Sequence, residues 1–372
     1  MLATVTLQVR RWFARILAGF VVALAVPAAA QPIPDLTVDE LETQLRAGKL
    51  GAIRSVAVEQ GGALVYRERF GGGQKGDRID IKSAGKSITA LAVGAAIADG
   101  TLADTTVAVW PYLGSARGAP FDQITVRDLL TMSSSLDCND WERRSPGQEE
   151  RMYRRRDWRE FVLALAARDN ERDSRGVGTF SYCTAGVFLL GQVVEQATGE
   201  RFDAYVQRRL FDPLGIDGAD WRTSRSGEIQ SGGQLGISDD ALLRLGRMVI
   251  DAGVWQGQRL LPEEWVCAML APAHSLGEHV HYGYLWWATP LRSSRGFEGA
   301  FMMKGNGVNI VALVPSFDAV LVVQAENYNR AEAERNSFIV LTTLLRSLPG
   351  PGAQAEGSAG TDRCRSESGG MR

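Results

Sequence analysis

Ser83 and Lys86 stand three residues apart in Ile81-Lys82-Ser83-Ala84-Gly85-Lys86-Ser87, at the head of an apolar run of small residues that continues to Ala98. A serine hydroxyl is inert at neutral pH until a neighbour takes its proton. A lysine can do so in its neutral form, which burial and the positive end of a helix dipole both favour. Residues 87–98 are apolar on every face and Gly100 follows as a stop, so the run reads as a buried helix. Positions i and i+3 share a helix face, which brings the Lys86 side chain to the Ser83 hydroxyl. Free N–H groups at such a helix start, that of Ser83 among them, suit a developing oxyanion. The same four residues also describe an ordinary helix start capped by Ser83.

Rival chemistries fit less well. The chain has three histidines, His274, His279 and His281, all in one short segment, and no G-x-S-x-G elbow, which disfavours a Ser-His-Asp triad. His279-Val280-His281 puts two imidazoles on one strand face, but only Glu278 stands near as a third ligand, so no metal site is expected. Gly85-Lys86-Ser87 matches the end of a phosphate loop, yet Asp80 occupies the place of its first glycine. No cofactor is expected.

At the amino terminus, Arg10, Arg11 and Arg15 precede an apolar stretch over 16–26, and Pro27-Ala28-Ala29-Ala30 supplies a small-residue cleavage site. Residues 1–30 therefore read as an export signal, too short in its apolar part to span a membrane comfortably, and the mature chain is expected to be periplasmic or secreted. With 41 basic and 43 acidic residues the chain has no charge excess that would suit nucleic acid. The basic cluster over 151–159 is interleaved with acids, Glu149 and Glu150 among its neighbours, and reads as a solvated helix face. Residues 349–372 are Gly, Ser, Ala and charge, the composition of a disordered tail.

The elements that must position Ser83 lie between these ends. Alternating segments 53–59 and 63–69 around Gly61-Gly62 predict a hairpin. Helices are predicted from Thr125 through Leu130, over 185–197 and over 239–252, strands over 283–288, 300–304, 308–314 and 319–325, and a last helix over 331–348. Neither strand group makes a stable sheet alone, so the two are expected to join in one antiparallel sheet flanked by helices, an α+β fold. The division is then a single domain over 31–348, with its α/β part at about 31–100 and 280–348 and a mostly helical part at about 101–279.

Several ordered landmarks resemble the serine hydrolases of the class C β-lactamase and penicillin-binding type, including family VIII esterases and 6-aminohexanoate-dimer hydrolases. Ser83-Ala84-Gly85-Lys86 looks like their S-x-x-K. Ile124-Thr125-Val126-Arg127-Asp128-Leu129-Leu130-Thr131 is similar to I-T-x-R-x-L-L-T, and Phe180-Ser181-Tyr182-Cys183-Thr184 stands where F-x-Y-S-N usually stands. Leu210-Phe211-Asp212-Pro213-Leu214-Gly215 and Tyr282-Gly283-Tyr284-Leu285-Trp286-Trp287 are further matches, and the resemblance covers roughly 53–348. It implies a β-lactamase/transpeptidase-like fold and a second general base, Tyr182, sharing protons with Ser83 and Lys86. It also implies an oxyanion hole of the Ser83 and Asn306 N–H groups, with Gly305 beside the substrate.

Departures from that pattern bear on substrate. Thr184 replaces the asparagine that helps bind a substrate amide, which argues against efficient β-lactam turnover. The third motif, K-T-G or H-x-G in relatives, falls at Met303-Lys304-Gly305, so its lysine comes one place late and alternation turns it from the face of a carboxylate anchor. Cys183 sits beside Tyr182, and Cys138 follows the helix ending near Met132, which in relatives lines the same cleft, so a Cys138–Cys183 disulfide bracing its wall is expected, two free thiols being the alternative. Cys267 reads as buried and Cys364 as an unpaired tail residue. Trp141, Trp158, Trp286 and Trp287 are candidate pocket walls, Trp141 first among them. The expected activity is hydrolysis of a small ester, amide or peptide through a Ser83 acyl-enzyme. The alternatives are a penicillin-binding or D-alanyl peptidase, or a non-catalytic cell-wall binding module on the same fold.

Overall fold

The computed structural model describes residues 33–114, 117–307, 309–350 and 364, so the predicted export signal and nearly all of the predicted tail lie outside the described residues. Helix α1 (Val38–Arg46) opens with a capping box, in which the Thr37 hydroxyl accepts from Glu40 N and the Glu40 carboxylate accepts from Thr37 N. The predicted hairpin follows as β1 (Ile53–Gln60) and β2 (Ala63–Arg69), turning through Gly61 and Gly62, both at positive φ. Helix α2 (Gly85–Ala98) is buried over nearly its whole length, as an all-round apolar helix must be. It admits a neighbour through Gly94, where an added Cβ would lie 2.1 Å from the Trp265 indole nitrogen.

Helix α3 (Val126–Leu130) is capped by Thr125, and Asp128 closes its capping box while taking a bidentate bond from Arg172 at 2.7 and 2.9 Å. Then come α4 (Glu149–Tyr153), α5 (Thr184–Thr198), α6 (Asp239–Ile250) and α7 (Glu263–Leu270). The later strands are β3 (His274–Ser275), β4 (His281–Tyr282), β5 (Trp287–Ser293), β6 (Gly296–Gly305), β7 (Asn309–Val314) and β8 (Ala319–Ala325), followed by α8 (Ala333–Ser347). Of the strand predicted over 283–288, residues 283–286 are instead a turn between β4 and β5, in which Gly283 N bonds Trp286 O and Leu285 takes a positive φ, and 287–288 begin β5.

Among the described residues these strands form one eight-stranded sheet in the order β2-β1-β8-β7-β6-β5-β4-β3, and every pairing in it is antiparallel. The early hairpin thus completes the late strands, as expected. Val311, Leu313, Val320 and Val322 face one core, where Gly246 of α6 presses so close that a Cβ would sit 2.5 Å from Val320. The alternate residues Ile310, Ala312, Leu321 and Val323 are equally buried, so the sheet is covered on both faces. On its outer side the last pair between β5 and β6 is Trp287 with Met302, which leaves Met303, Lys304 and Gly305 beyond the end of β5.

Candidate active site

Ser83 lies in a single 3-10 turn, Lys82–Ala84, that runs straight into α2. Its entry is strained: Lys82 holds φ 53°, unusual for a residue with a Cβ, and is fixed there by its N–H bonded to Asp80 at 2.9 Å and its ammonium to the same carboxylate at 2.6 Å. The Lys82 ammonium also lies 4.4 Å from the Tyr328 ring centre, and Tyr328 donates to Asp80 O. Against this turn packs the end of β6. A Cβ on Gly305 would come within 2.0 Å of Ile81 O, so only glycine lets the strand approach the serine so closely.

Lys86 is 1 % exposed, with Nζ 3.0 Å from Ser83 Oγ and 2.7 Å from Gly232 O. Its ammonium also lies 5.1 Å from the centre of the Tyr182 ring. Tyr182 is itself buried, stacked on Trp141 at 5.4 Å and flanked by Trp287 at 6.1 Å. The three expected reactive side chains are therefore gathered at one place from α2 and the segment leading into α5. Asn306 follows Gly305 and is held by Asn309 Nδ2 on its carbonyl at 3.0 Å and by Asn329 N on its side chain at 2.9 Å.

These groups border a cavity of about 740 Å³ lined by Ser83, Tyr182, Trp141, Trp287, Gly305 and Asn306. Trp141 is 62 % exposed, whereas Trp158 and Trp286 are core residues with 1 % exposure. Thr184, expected to meet substrate, is fully buried; its hydroxyl donates to Glu149 Oε2 at 3.2 Å and its N–H to Asp140 Oδ2 at 2.7 Å. The cavity wall in front of it is made by Asp140 and Glu149. Glu149, read from sequence as part of a solvated face, thus belongs to the cleft. Burial pushes the Asp140 carboxyl above its usual range, against the pull of Lys86 and with the help of Glu149.

Lys304 also lines the cavity. Alternation does turn Met303 into the core and Lys304 away from it, but the open end of β6 lets that second face border the cleft as well. The Lys304 ammonium pairs with Glu334 of α8 and lies 5.4 Å from the Trp287 ring, while Arg330 lines the same end. His279 and His281 line a different cavity, of about 310 Å³. Asp140 and Arg330 escaped sequence reasoning, whereas that reasoning puts Glu149 on a solvated face and turns Lys304 from the cleft; the only signal for Asp140 was its place beside Trp141.

Cys138 and Cys183 form a disulfide, with Cα atoms 5.4 Å apart. The expectations for the other two cysteines need correcting: Cys267 is half-buried on α7, and Cys364 is bonded to it in a second disulfide. Local pattern could not foresee a pair 97 residues apart.

The sequence model of the family described as Beta-lactamase matches residues 38–343. A 6-aminohexanoate-dimer hydrolase of Paenarthrobacter ureafaciens is 29% identical over 213 residues, 52% of this chain and 51% of that protein, so the match spans about half the length of that relative. Among solved structures, a putative 6-aminohexanoate-dimer hydrolase from Bacillus anthracis superposes with TM-score 0.67 at 18% identity, covering 86% of this chain and 87% of the other. A penicillin binding protein from Bacillus halodurans gives 0.64 at 19%, covering 82% and 98%. Both likenesses are of fold.

Proposed function

The chain belongs to the beta-lactamase family, and on that premise we propose that it is a serine hydrolase cleaving an ester or amide through an acyl-enzyme on Ser83. The observation that carries this reading is the 3.0 Å contact between Ser83 Oγ and the buried Lys86 Nζ. Lys86, with Tyr182 beside it, takes the hydroxyl proton as Oγ attacks the substrate carbonyl. The negative charge that develops on the carbonyl oxygen is met by the N–H groups of Ser83 and Asn306. Collapse of the tetrahedral adduct breaks the bond to the leaving group, which Tyr182 protonates as it takes over the proton held on Lys86. Water then gives a proton to the same pair as it attacks the acyl carbonyl, and that proton returns to Ser83 Oγ as the acid leaves.

Amide cleavage is favoured among substrates because a relative at 29% identity carries the name 6-aminohexanoate-dimer hydrolase. The missing asparagine carboxamide at Thr184 argues against efficient β-lactam turnover. Turnover of short nitrophenyl esters, linear amides and nitrocefin by wild type and Ser83→Ala tests the reading. Ester or amide hydrolysis that the variant loses supports it, and turnover equal in both proteins defeats it.

A second reading, a penicillin-binding or D-alanyl peptidase, gains from Lys304 and Arg330, cations at the cavity's α8 end where a substrate carboxylate would find a partner. Stable labelling of Ser83 by a fluorescent penicillin would favour it. Placement outside the cytoplasm accords with the leader-like sequence over 1–30 and with the two disulfides. No helix among the described residues is long and apolar enough to cross a membrane.

A further inference from the structure

Four consecutive residues leading into α5 are each tied to the short segment 138–140. Ser181 Oγ donates to Cys138 O at 2.7 Å, Asp140 N donates to Tyr182 O at 2.7 Å, Cys183 is bonded to Cys138, and Thr184 N donates to Asp140 Oδ2 at 2.7 Å. The second oxygen of Asp140 accepts from Glu149 N at 2.8 Å, at the first residue of α4. Both carboxylate oxygens are therefore used to hold backbone on either side of the cleft wall that carries Tyr182 and Trp141.

A neutral side chain would do this less well. An asparagine has one acceptor oxygen, so one of the two N–H groups would face its NH2 instead. A carboxylate kept from water is also costly unless something repays its charge. The groups facing it are Lys86 from α2, Glu149 and through it Tyr153 from α4, and Tyr182 and Thr184 from the α5 approach; Lys304, Arg330 and Glu334 stand across the cavity. Lys86 is the cation whose charge acts on Asp140, and Arg222 lies beyond Tyr153, 4.8 Å from its ring.

We propose that Asp140 is a positioning residue for the reaction at Ser83: its ionised carboxylate clamps residues 182–184 to α4 and provides the negative charge beside Lys86. Its carboxylate oxygens bond Thr184 N and Glu149 N rather than the attacking oxygen, and it acts through Tyr182 and Lys86. The proposal rests on the acyl-enzyme reading above. Because burial raises its carboxyl, Asp140 takes up a proton at a higher pH than an exposed aspartate, and the clamp loses its charge there.

The test is kcat and KM of wild type, Asp140→Asn and Asp140→Ala from pH 5 to 9 on one nitrophenyl ester, with melting temperatures and thiol counts. Wild type is expected to lose kcat on the acid side with little change in KM. Asp140→Asn should lower kcat at pH 8 by about ten- to a hundredfold, the size of a lost general-base or oxyanion contact. KM should stay within threefold, the disulfides should remain intact, and the acid limb should vanish or move by a pH unit or more. An acid limb of wild-type kcat that Asp140→Asn leaves unmoved overturns the proposal. So does an Asp140→Asn enzyme within twofold of wild type, or one whose loss of kcat follows its loss of folded protein with the pH profile unmoved. Each of these leaves ester hydrolysis at Ser83 standing, whereas a wild type that never acylates removes both readings.

Discussion

Removing the Cys138–Cys183 bond probes how far the active-site wall depends on it. The double variant Cys138→Ala, Cys183→Ser leaves no lone thiol and keeps an N-cap acceptor for α5, since Cys183 Sγ now accepts from Gly186 N at 3.1 Å. With its ends separated by 45 positions in sequence, the bond withholds about 13 cal/mol/K from the denatured chain, which is about 4 kcal/mol at 25 °C. For a domain of this size that corresponds to a fall in Tm on the order of 10 °C. Guanidinium unfolding followed by tryptophan fluorescence, with calorimetry, measures both. The bonds from Ser181 to Cys138 O, from Asp140 to Tyr182 O and from Thr184 to Asp140 survive the substitutions, so kcat should fall by less than about tenfold, well short of the 10²–10³ expected for losing a catalytic hydrogen bond. Free thiols at Cys138 and Cys183 in denatured, oxidatively purified wild type would refute the reasoning outright. A stability loss below about 1 kcal/mol would refute the entropic part.

Three further outcomes are expected. Gly305→Ala forces a Cβ to within 2.0 Å of Ile81 O and 2.9 Å of Ala84 N, and should cut kcat/KM by about 10²-fold or more while circular dichroism stays unchanged. Gly94→Ala drives a methyl into Trp265 and should cost about 1–3 kcal/mol in guanidinium unfolding, with kcat little altered in the folded protein. Burial holds the His274 imidazole below its ordinary 6.5, so the folded state binds a proton less readily than the unfolded chain. Its contribution to stability is present above 6.5 and is lost as pH falls below it, so the stability of His274→Gln relative to wild type should rise in melting scans between pH 7.5 and 5.

The architecture was legible wherever one stretch of chain carries its own signal. An all-round apolar run gave α2, Thr125 with Asp128 marked a helix start, and alternation around Gly61-Gly62 marked the hairpin. Ser83 and Lys86 were legible for the same reason, because helix geometry alone brings i and i+3 together. Tyr182 needed the resemblance, since nothing local tells that residue 182 returns to residue 86. What escaped was long-range and side-specific. Asp140 meets Thr184 because the disulfide and two hydrogen bonds fold its loop back, and Lys304 borders the cleft because β5 stops pairing at Trp287. Thr184 was expected to meet substrate, but its short hydroxyl is satisfied behind the wall by Glu149.

The central claim is that Ser83 becomes acylated. Intact-protein mass spectrometry of the purified protein after exposure to a fluorophosphonate and to a short-chain nitrophenyl ester, with peptide mapping and Ser83→Ala in parallel, tests it directly. The account predicts one adduct per chain in wild type, mapped to the peptide containing Ser83, and none in the variant. Wild type left unmodified by both reagents, or labelled equally when Ser83 is absent, would contradict it and favour a non-catalytic binding module.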